Sequence, residues 1–231
     1  MKKNHALRPV LTDIAIAAIA ALVYAALISP ISVMTFTGVR SHPLYRGVEG
    51  RQVSLQCAVS WDAAALEDIM ETLGREGVSI TFAVSGEWAD RNQAMLSRMS
   101  EQGHEIATMG FDPLRDGNRE FVLADIEASL ERIESVTGAR PYTYYCGTRD
   151  PQVSARAGSL LGLDTVLCTI DLDCANGTSF ELEKRLSENI SGGAVIAVQP
   201  TAQFSEALPF LIETIKNMGF DIVQTHKMLY N

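Results

Sequence analysis

The sequence predicts an α/β fold built on a parallel sheet, and three observations carry that prediction. Strand-like apolar runs and amphipathic helical segments alternate about seven times from residue 52 onward, as they do when helical crossovers join parallel strands. With 47% apolar and 20% charged residues among 231, the chain can bury a real core, and wholesale disorder is excluded. No Gly-rich phosphate loop or G-x-S-x-G elbow interrupts the alternation, so nucleotide-binding and serine-hydrolase readings lose their main support. Seven strands in one domain either close as an irregular barrel or lie open as a doubly wound sheet.

Each element has its own signal. "QVSLQCAVS" (52–60) is an apolar run bounded by polar residues, a first strand. "DAAALEDIMETLGREG" (62–77) spaces Leu66, Ile69, Met70 and Leu73 as one helical face, and Gly77 stops it. "VSITFAVS" (78–85) is a β-branched second strand, followed by a helix over 91–103 and the short strand "HEIATM" (104–109). A long amphipathic helix spans 118–138, with Phe121, Ile126, Leu130 and Ile133 on one side. Strands follow at 141–146, 164–170, 193–199 and 220–224, with helices at 150–162, 179–190 and 204–219.

The N-terminus reads differently. Lys2, Lys3 and Arg8 precede a charge-free stretch from Ile14 to Val39, and ~20 apolar residues suffice for a helix to cross the hydrocarbon core. Basic residues on the N-terminal side place that end in the cytoplasm. The expected organisation is a cytoplasmic segment over 1–13, a transmembrane signal anchor over 14–36, a linker over 37–51 and a folded domain over 52–231. A cleaved signal peptide is the rival, but no clean A-x-A site follows the run. The expected location is therefore the cell membrane, single-pass, with the C-terminal domain extracytoplasmic.

Net charge is −9, and setting aside Lys2, Lys3, Arg8 and Asp13 leaves 16 basic and 27 acidic residues, a formal −11. Such a surface does not seek nucleic acid, which rewards clustered cations. Cys57, Cys146, Cys168 and Cys174 match no zinc spacing. Cys57 and Cys168 lie within apolar runs and read as buried thiols. Cys146 and Cys174 follow two successive strand candidates and form a candidate disulfide in a compartment that permits one.

The segments from Val53 to Tyr230 resemble the polysaccharide deacetylases with a NodB homology domain. The most specific stretch is "REGVSITFAVSGEWADRNQAMLSRMSEQGHEIATMGF" (75–111), in which a strand ending Thr-Phe-x-x-x-Gly-x-Trp-Ala precedes a helix and Gly-His-Glu-Ile. "AVSWDA" is similar to the sporulation-type branch, which points to a spore-forming bacterium, and "SGGAVIAVQPT" and "GFDIVQTHKMLY" match the closing strands and terminal helix. The resemblance implies a distorted (β/α) seven-stranded barrel with its site at the C-terminal strand ends. It also implies metal-assisted hydrolysis of an N-acetyl group on a glycan. Zinc, held by an Asp and two His, would polarise the carbonyl while an Asp base and a His acid move protons.

Carried over residue by residue, the family's roles fall on groups that cannot perform them. The base position is Ala58 and the metal Asp position Val59. The two His ligand positions are Met109 and Pro113. The Arg that steadies the base falls near Thr143, and the acid His is Gln199. Ala, Val and Pro side chains donate no lone pair. A Met thioether suits copper(I) rather than zinc, and Gln199 does not titrate.

Among the surviving groups, Asp62 and Asp112 are the candidate displaced carboxylates, Asp62 having a helix N-cap as its plain structural role. Trp61, His104, Tyr145, Asp171 and Asp173 are candidates for the groove, with Trp88, Tyr142 and Tyr144 as further aromatics that either line it or pack the core. His104 is expected to be structural first, and His42 and His226 to lie at the surface. The expectation is a catalytically inactive envelope protein that binds cell-envelope glycan or a protein partner and needs no cofactor. One alternative is an active N-deacetylase with a rebuilt zinc site. Another is a purely structural component, its groove plugged by Met109 and Tyr145.

Overall fold

In a computed structural model of the chain, the described residues are 40–48, 50–61 and 64–230. The expected cytoplasmic segment and anchor, and Asp62, lie outside them. No helix among the described residues is long and apolar enough to cross a membrane.

Strands β1 (Gln52–Val59), β2 (Thr81–Val84), β3 (Glu105–Thr108), β4 (Thr143–Tyr144), β5 (Asp164–Thr165), β6 (Ile170–Asp171) and β7 (Val195–Val198) form one sheet in the order β5-β4-β3-β2-β1-β7-β6. All their pairings are parallel. A short β8 (Asp221–Ile222) pairs with the first two residues of β1. The sheet is curled but open, because β5 and β6 occupy its two ends. The expected barrel is corrected to that extent. The single strand read over 164–170 is in fact two, since the chain leaves the edge of β4 after Thr165 and crosses to β7 at Ile170.

Alternation along the strands sorts side chains to two faces. Val53, Leu55, Cys57 and Val59 of β1 join Ile80, Phe82 and Val84 in the main core. Helices α1 (Leu66–Glu76), α2 (Gly86–Arg91), α3 (Gln93–Glu101), α6 (Ser179–Asn189) and α7 (Ala202–Asn217) supply the other side of that core. A second cluster sets Val122, Ile126 and Leu130 of α4 (Arg119–Thr137) on Tyr144 and Cys146, with Ala157 of α5 (Pro151–Leu160). The sequence reading missed α2. Ser85 caps it, its Oγ accepting from Trp88 N at 3.1 Å, and Asn92 separates it from α3.

The inner face is polar at its base. Glu105 accepts hydrogen bonds from Thr81 Oγ1, Thr143 Oγ1 and the backbone N of His226, at 2.8, 2.8 and 2.9 Å. Helix α8 (Thr225–Tyr230) closes this end: Thr225 N donates to Thr81 Oγ1 at 2.8 Å, and Met228 and Leu229 pack with Val166, Val195 and Leu44.

Residues 40–47, expected within a linker, are instead a strap across the open seam. Leu44 N donates to Thr165 O at 2.9 Å, Leu167 N to Leu44 O at 2.7 Å, and Gly47 N to Gly193 O at 2.8 Å. Gly193 has φ +78°, and a Cβ there would press on the carbonyls of Val48 and Gly47. The strap therefore demands glycine at that crossing.

Candidate functional site

Strand C-termini and the loops that follow them define the end of the sheet where α/β proteins place their sites. Ala58 points to the inner face there, paired with Ala83, which in turn pairs with Ala107. Met109, 6% exposed, packs on these small side chains together with half-buried Tyr145. Val59 faces the other way and is fully buried in the main core. Pro113 is buried in the loop after β3. Thr143 is occupied by Glu105 near the base. Gln199 uses its Oε1 to accept from Cys174 N at 3.0 Å, tying the β6–α6 loop to β7.

This donor set does not fit zinc. The family's three ligand positions present an isopropyl turned into the core, a thioether and a proline ring, and its base position a methyl. Among the described residues, no group of three or more His, Cys, Asp or Glu side chains converges to hold a metal.

The loop that would carry the ligands is nonetheless held firmly. Asp125 of α4 accepts from the backbone N of Phe111 at 3.0 Å and of Asp112 at 2.9 Å. Its carboxylate meets Arg149 at 2.8 Å, both side chains being almost fully buried. Arg149 spends its other donors on Arg115 O (3.0 Å), Asp112 O (2.6 Å) and Tyr144 OH (3.2 Å). Gly110, at φ +83°, leaves room for the pair, since a Cβ there would overlap Asp125 Oδ2. Sequence reading missed both residues because the partners are 24 positions apart, with no local pattern linking them. Asp112 is clamped through its backbone while its side chain lines a depression against α4 with Glu87, Arg115 and Phe121.

The groove candidates separate. Tyr145 stands at the mouth near Cys168 and Asp171. Burial first, then these neighbours and Cys146, push its hydroxyl up to about 12, so it stays a neutral donor. Asp171 is exposed, and its Oδ1 accepts from Asp173 N at 2.8 Å. Asp173, at φ +48°, holds Asn176 Nδ2 at 2.8 Å and serves the turn. Trp61 is 73% exposed after β1, Leu114 stands exposed in the loop after β3, and Phe180 in the first turn of α6.

His104 is at the opposite end, before β3. Its Nδ1 accepts from Ile80 N at 3.2 Å, its ring meets Phe82 edge-on, and burial lowers its pKa to about 4. It is not a groove residue. Trp88 and Tyr144 are core, and Tyr142 stacks on His226 at the base rather than in the groove. His226 is half-buried, not a plain surface residue. Cys146 and Cys174 are both free thiols in separate core clusters. The candidate pairing is not formed, the two thiols being buried in different clusters.

One inner-face residue carried no signal at all. Gln56, 1% exposed, is level with Thr81, one layer below Ala58, and its amide has no hydrogen-bond partner among the described residues.

Residues 55–163 match the polysaccharide deacetylase family. The wild-type Bacillus anthracis protein BA3943, described as a family 4 carbohydrate esterase (CE4) pseudoenzyme, superimposes with a TM-score of 0.78 at 21% identity, over 82% of this chain and 69% of that one. A mutant of the same pseudoenzyme, described as having restored enzymatic activity, gives 0.79 at 20% identity, over 82% and 72%. Bacillus subtilis PdaA, a family 4 carbohydrate esterase, gives 0.73 at 16% identity, over 82% and 86%. The described domain therefore has the fold of these family 4 carbohydrate esterase structures. An uncharacterised Bacillus subtilis (strain 168) protein, YlxY, is 26% identical over 188 residues, which is 77% of this chain and 57% of that relative. The chain thus spans little more than half the length of this curated relative.

Proposed function

We propose that this chain is a catalytically inactive, membrane-anchored polysaccharide deacetylase-like protein whose groove mouth binds a cell-envelope glycan outside the cytoplasm. The observation that carries the proposal is the inner face at the strand ends, where Ala58 and Met109, packed with Ala83 and Ala107, stand at the position of the base and of one metal ligand. A methyl-lined floor polarises no carbonyl and activates no water.

Binding falls to the rim. Trp61 presents an exposed ring face, suited to stacking on a sugar. Three residues on, Ala64 and Ala65 begin the wall of a depression of about 440 Å³ that Asp68, Ser205 and Glu206 also line. Carboxylates and a hydroxyl are groups that hold sugar hydroxyls.

The test is calorimetric titration of the purified chain with peptidoglycan fragments, alongside zinc titration and a deacetylation assay. Glycan binding that Trp61→Ala abolishes, with no stoichiometric zinc site and no acetate released, is the expected result. A tight one-to-one zinc site with acetate release would overturn it in favour of a rebuilt enzyme, with Asp62 the first carboxylate to replace.

A further inference from the structure

We infer that Asn176, in the loop between β6 and α6, is a site of spontaneous covalent modification. Its side-chain amide is lost to water through a cyclic imide, and the loop that carries it is thereby loosened. Of the asparagines in the chain, Asn176 alone is followed by glycine. Glycine has no Cβ to hinder the approach of its nitrogen to the preceding side chain. Asn176 is exposed, and neither it nor Gly177 belongs to a helix or strand.

The attacking nitrogen is free. Asn176 N donates to Asp173 O at 3.1 Å and Thr178 N to Glu181 Oε2 at 2.8 Å. Between them, Gly177 N has no acceptor among the described residues. The reactive pair is also built into the packing. A Cβ on Gly177 would press on Leu182 Cδ1 at 2.5 Å, and Leu182 is fully buried in the main core. Close packing beneath the first turn of α6 therefore favours glycine after Asn176.

In the first step Gly177 N bonds to Asn176 Cγ. The Cγ–Nδ2 bond breaks, and Nδ2 leaves as ammonia with the proton that Gly177 gives up. Water then opens the imide at either carbonyl, giving aspartate or isoaspartate. No electrons are transferred, and water is the one co-reactant. The consequence falls on Asp173, whose Oδ1 accepts from Asn176 Nδ2 at 2.8 Å. After the change, carboxylate faces carboxylate there. Asp171 and Glu181 add charge of the same sign, while Arg185, near Glu181, already donates to Leu172 O. Like charges so close repel, and isoaspartate also lengthens the main chain by one carbon. Cys174, two residues away, is tied to the end of β7 through Gln199 Oε1 at 3.0 Å and Thr201 Oγ1 at 3.2 Å. The modification therefore strains the tether that holds this loop to the sheet.

The experiment incubates the purified full chain at mildly alkaline pH and follows it by peptide mass mapping and isoaspartate-specific methylation. The expected result is a gain of about one dalton at Asn176, several-fold ahead of every other asparagine. Isoaspartate should accompany it, and both should be absent at this position in Asn176→Ser. Hydrogen exchange over residues 173–178 is expected to be several-fold faster in the aged chain than in the fresh one. The same incubation in urea gives the rate in the unfolded chain. Conversion in urea but not in the folded chain would mean that the fold shields Asn176, and overturns the site. Conversion of the folded chain with unchanged exchange overturns the loosening of the loop. Conversion at other asparagines as fast as at Asn176 overturns the role assigned to Gly177.

Discussion

The guanidinium of Arg149 and the carboxylate of Asp125 meet at 2.8 Å beneath the loop from Met109 to Pro113, both nearly inaccessible to solvent. Every remaining polar atom of the pair that faces the loop holds backbone. The pair keeps the shape of a ligand-bearing loop in a chain whose ligand positions hold none. Removing one partner strands the other charge, which costs about 3–5 kcal/mol. Arg149→Met and Asp125→Ala should each lower stability by that amount in urea denaturation, and the double variant should lose less than the sum. Additive losses would mean the two side chains act independently.

His104 makes stability depend on pH in one direction. Its pKa is about 4 in the fold, below the ordinary 6.5, because burial disfavours the cation. As pH falls from 6.5 toward 4, the unfolded chain takes up a proton that the folded one refuses. Stability is whole above 6.5 and is lost through that window, by up to roughly 3 kcal/mol. Denaturation at pH 7 and pH 4.5 should show the slope in the parent chain and a flatter one in His104→Gln. An NMR titration placing His104 near 6.5 would contradict it.

Restoring the two acidic family positions should have unequal costs. Ala58→Asp places a carboxylate on the inner face at the half-open mouth and is expected to cost under about 2 kcal/mol. Val59→Asp drives one into the main core, fully buried and without a partner, at about 3 kcal/mol or more. Thermal melts compare them directly. Equal losses would mean the end of β1 can rotate to turn position 59 inward.

Gln56 should be replaceable. A buried amide with no partner costs free energy that an apolar side chain of similar shape does not. Gln56→Met is expected to leave stability unchanged or raise it by about 1 kcal/mol. A clear loss would show that the amide is satisfied in solution.

Element type was largely legible in the sequence because periodicity reports it directly. The helix read over 118–138 is observed at Arg119–Thr137, between the Asn118 cap and left-handed Gly138. Short-range capping was less visible at Ser85, where a six-residue helix has too few turns to show a period. The expected strand over 164–170 was read as one because its apolar run is continuous; only the pairing of Thr165 with Tyr144 and of Ile170 with Ile196 reveals the break. Likewise, the loss of donors at Ala58 and Met109 was readable as residue identity. Which way Val59 points, what Arg149 holds and that Glu105 knots three strands to α8 depend on long-range geometry.

Leu44 near one end of the domain packs with Met228 and Leu229 at the other, so the base is assembled from the first and last residues of the fold to be synthesised. A partly made chain lacks its floor: Thr81 and Glu105 wait for Thr225 and His226, and the seam waits for Gly193. Contacts of such sequence separation form late and slowly. Until the final helix arrives, the sheet stays unlatched at its base. A chain threaded N-terminus first through a narrow channel is thereby kept from completing its fold until its last turn has come through.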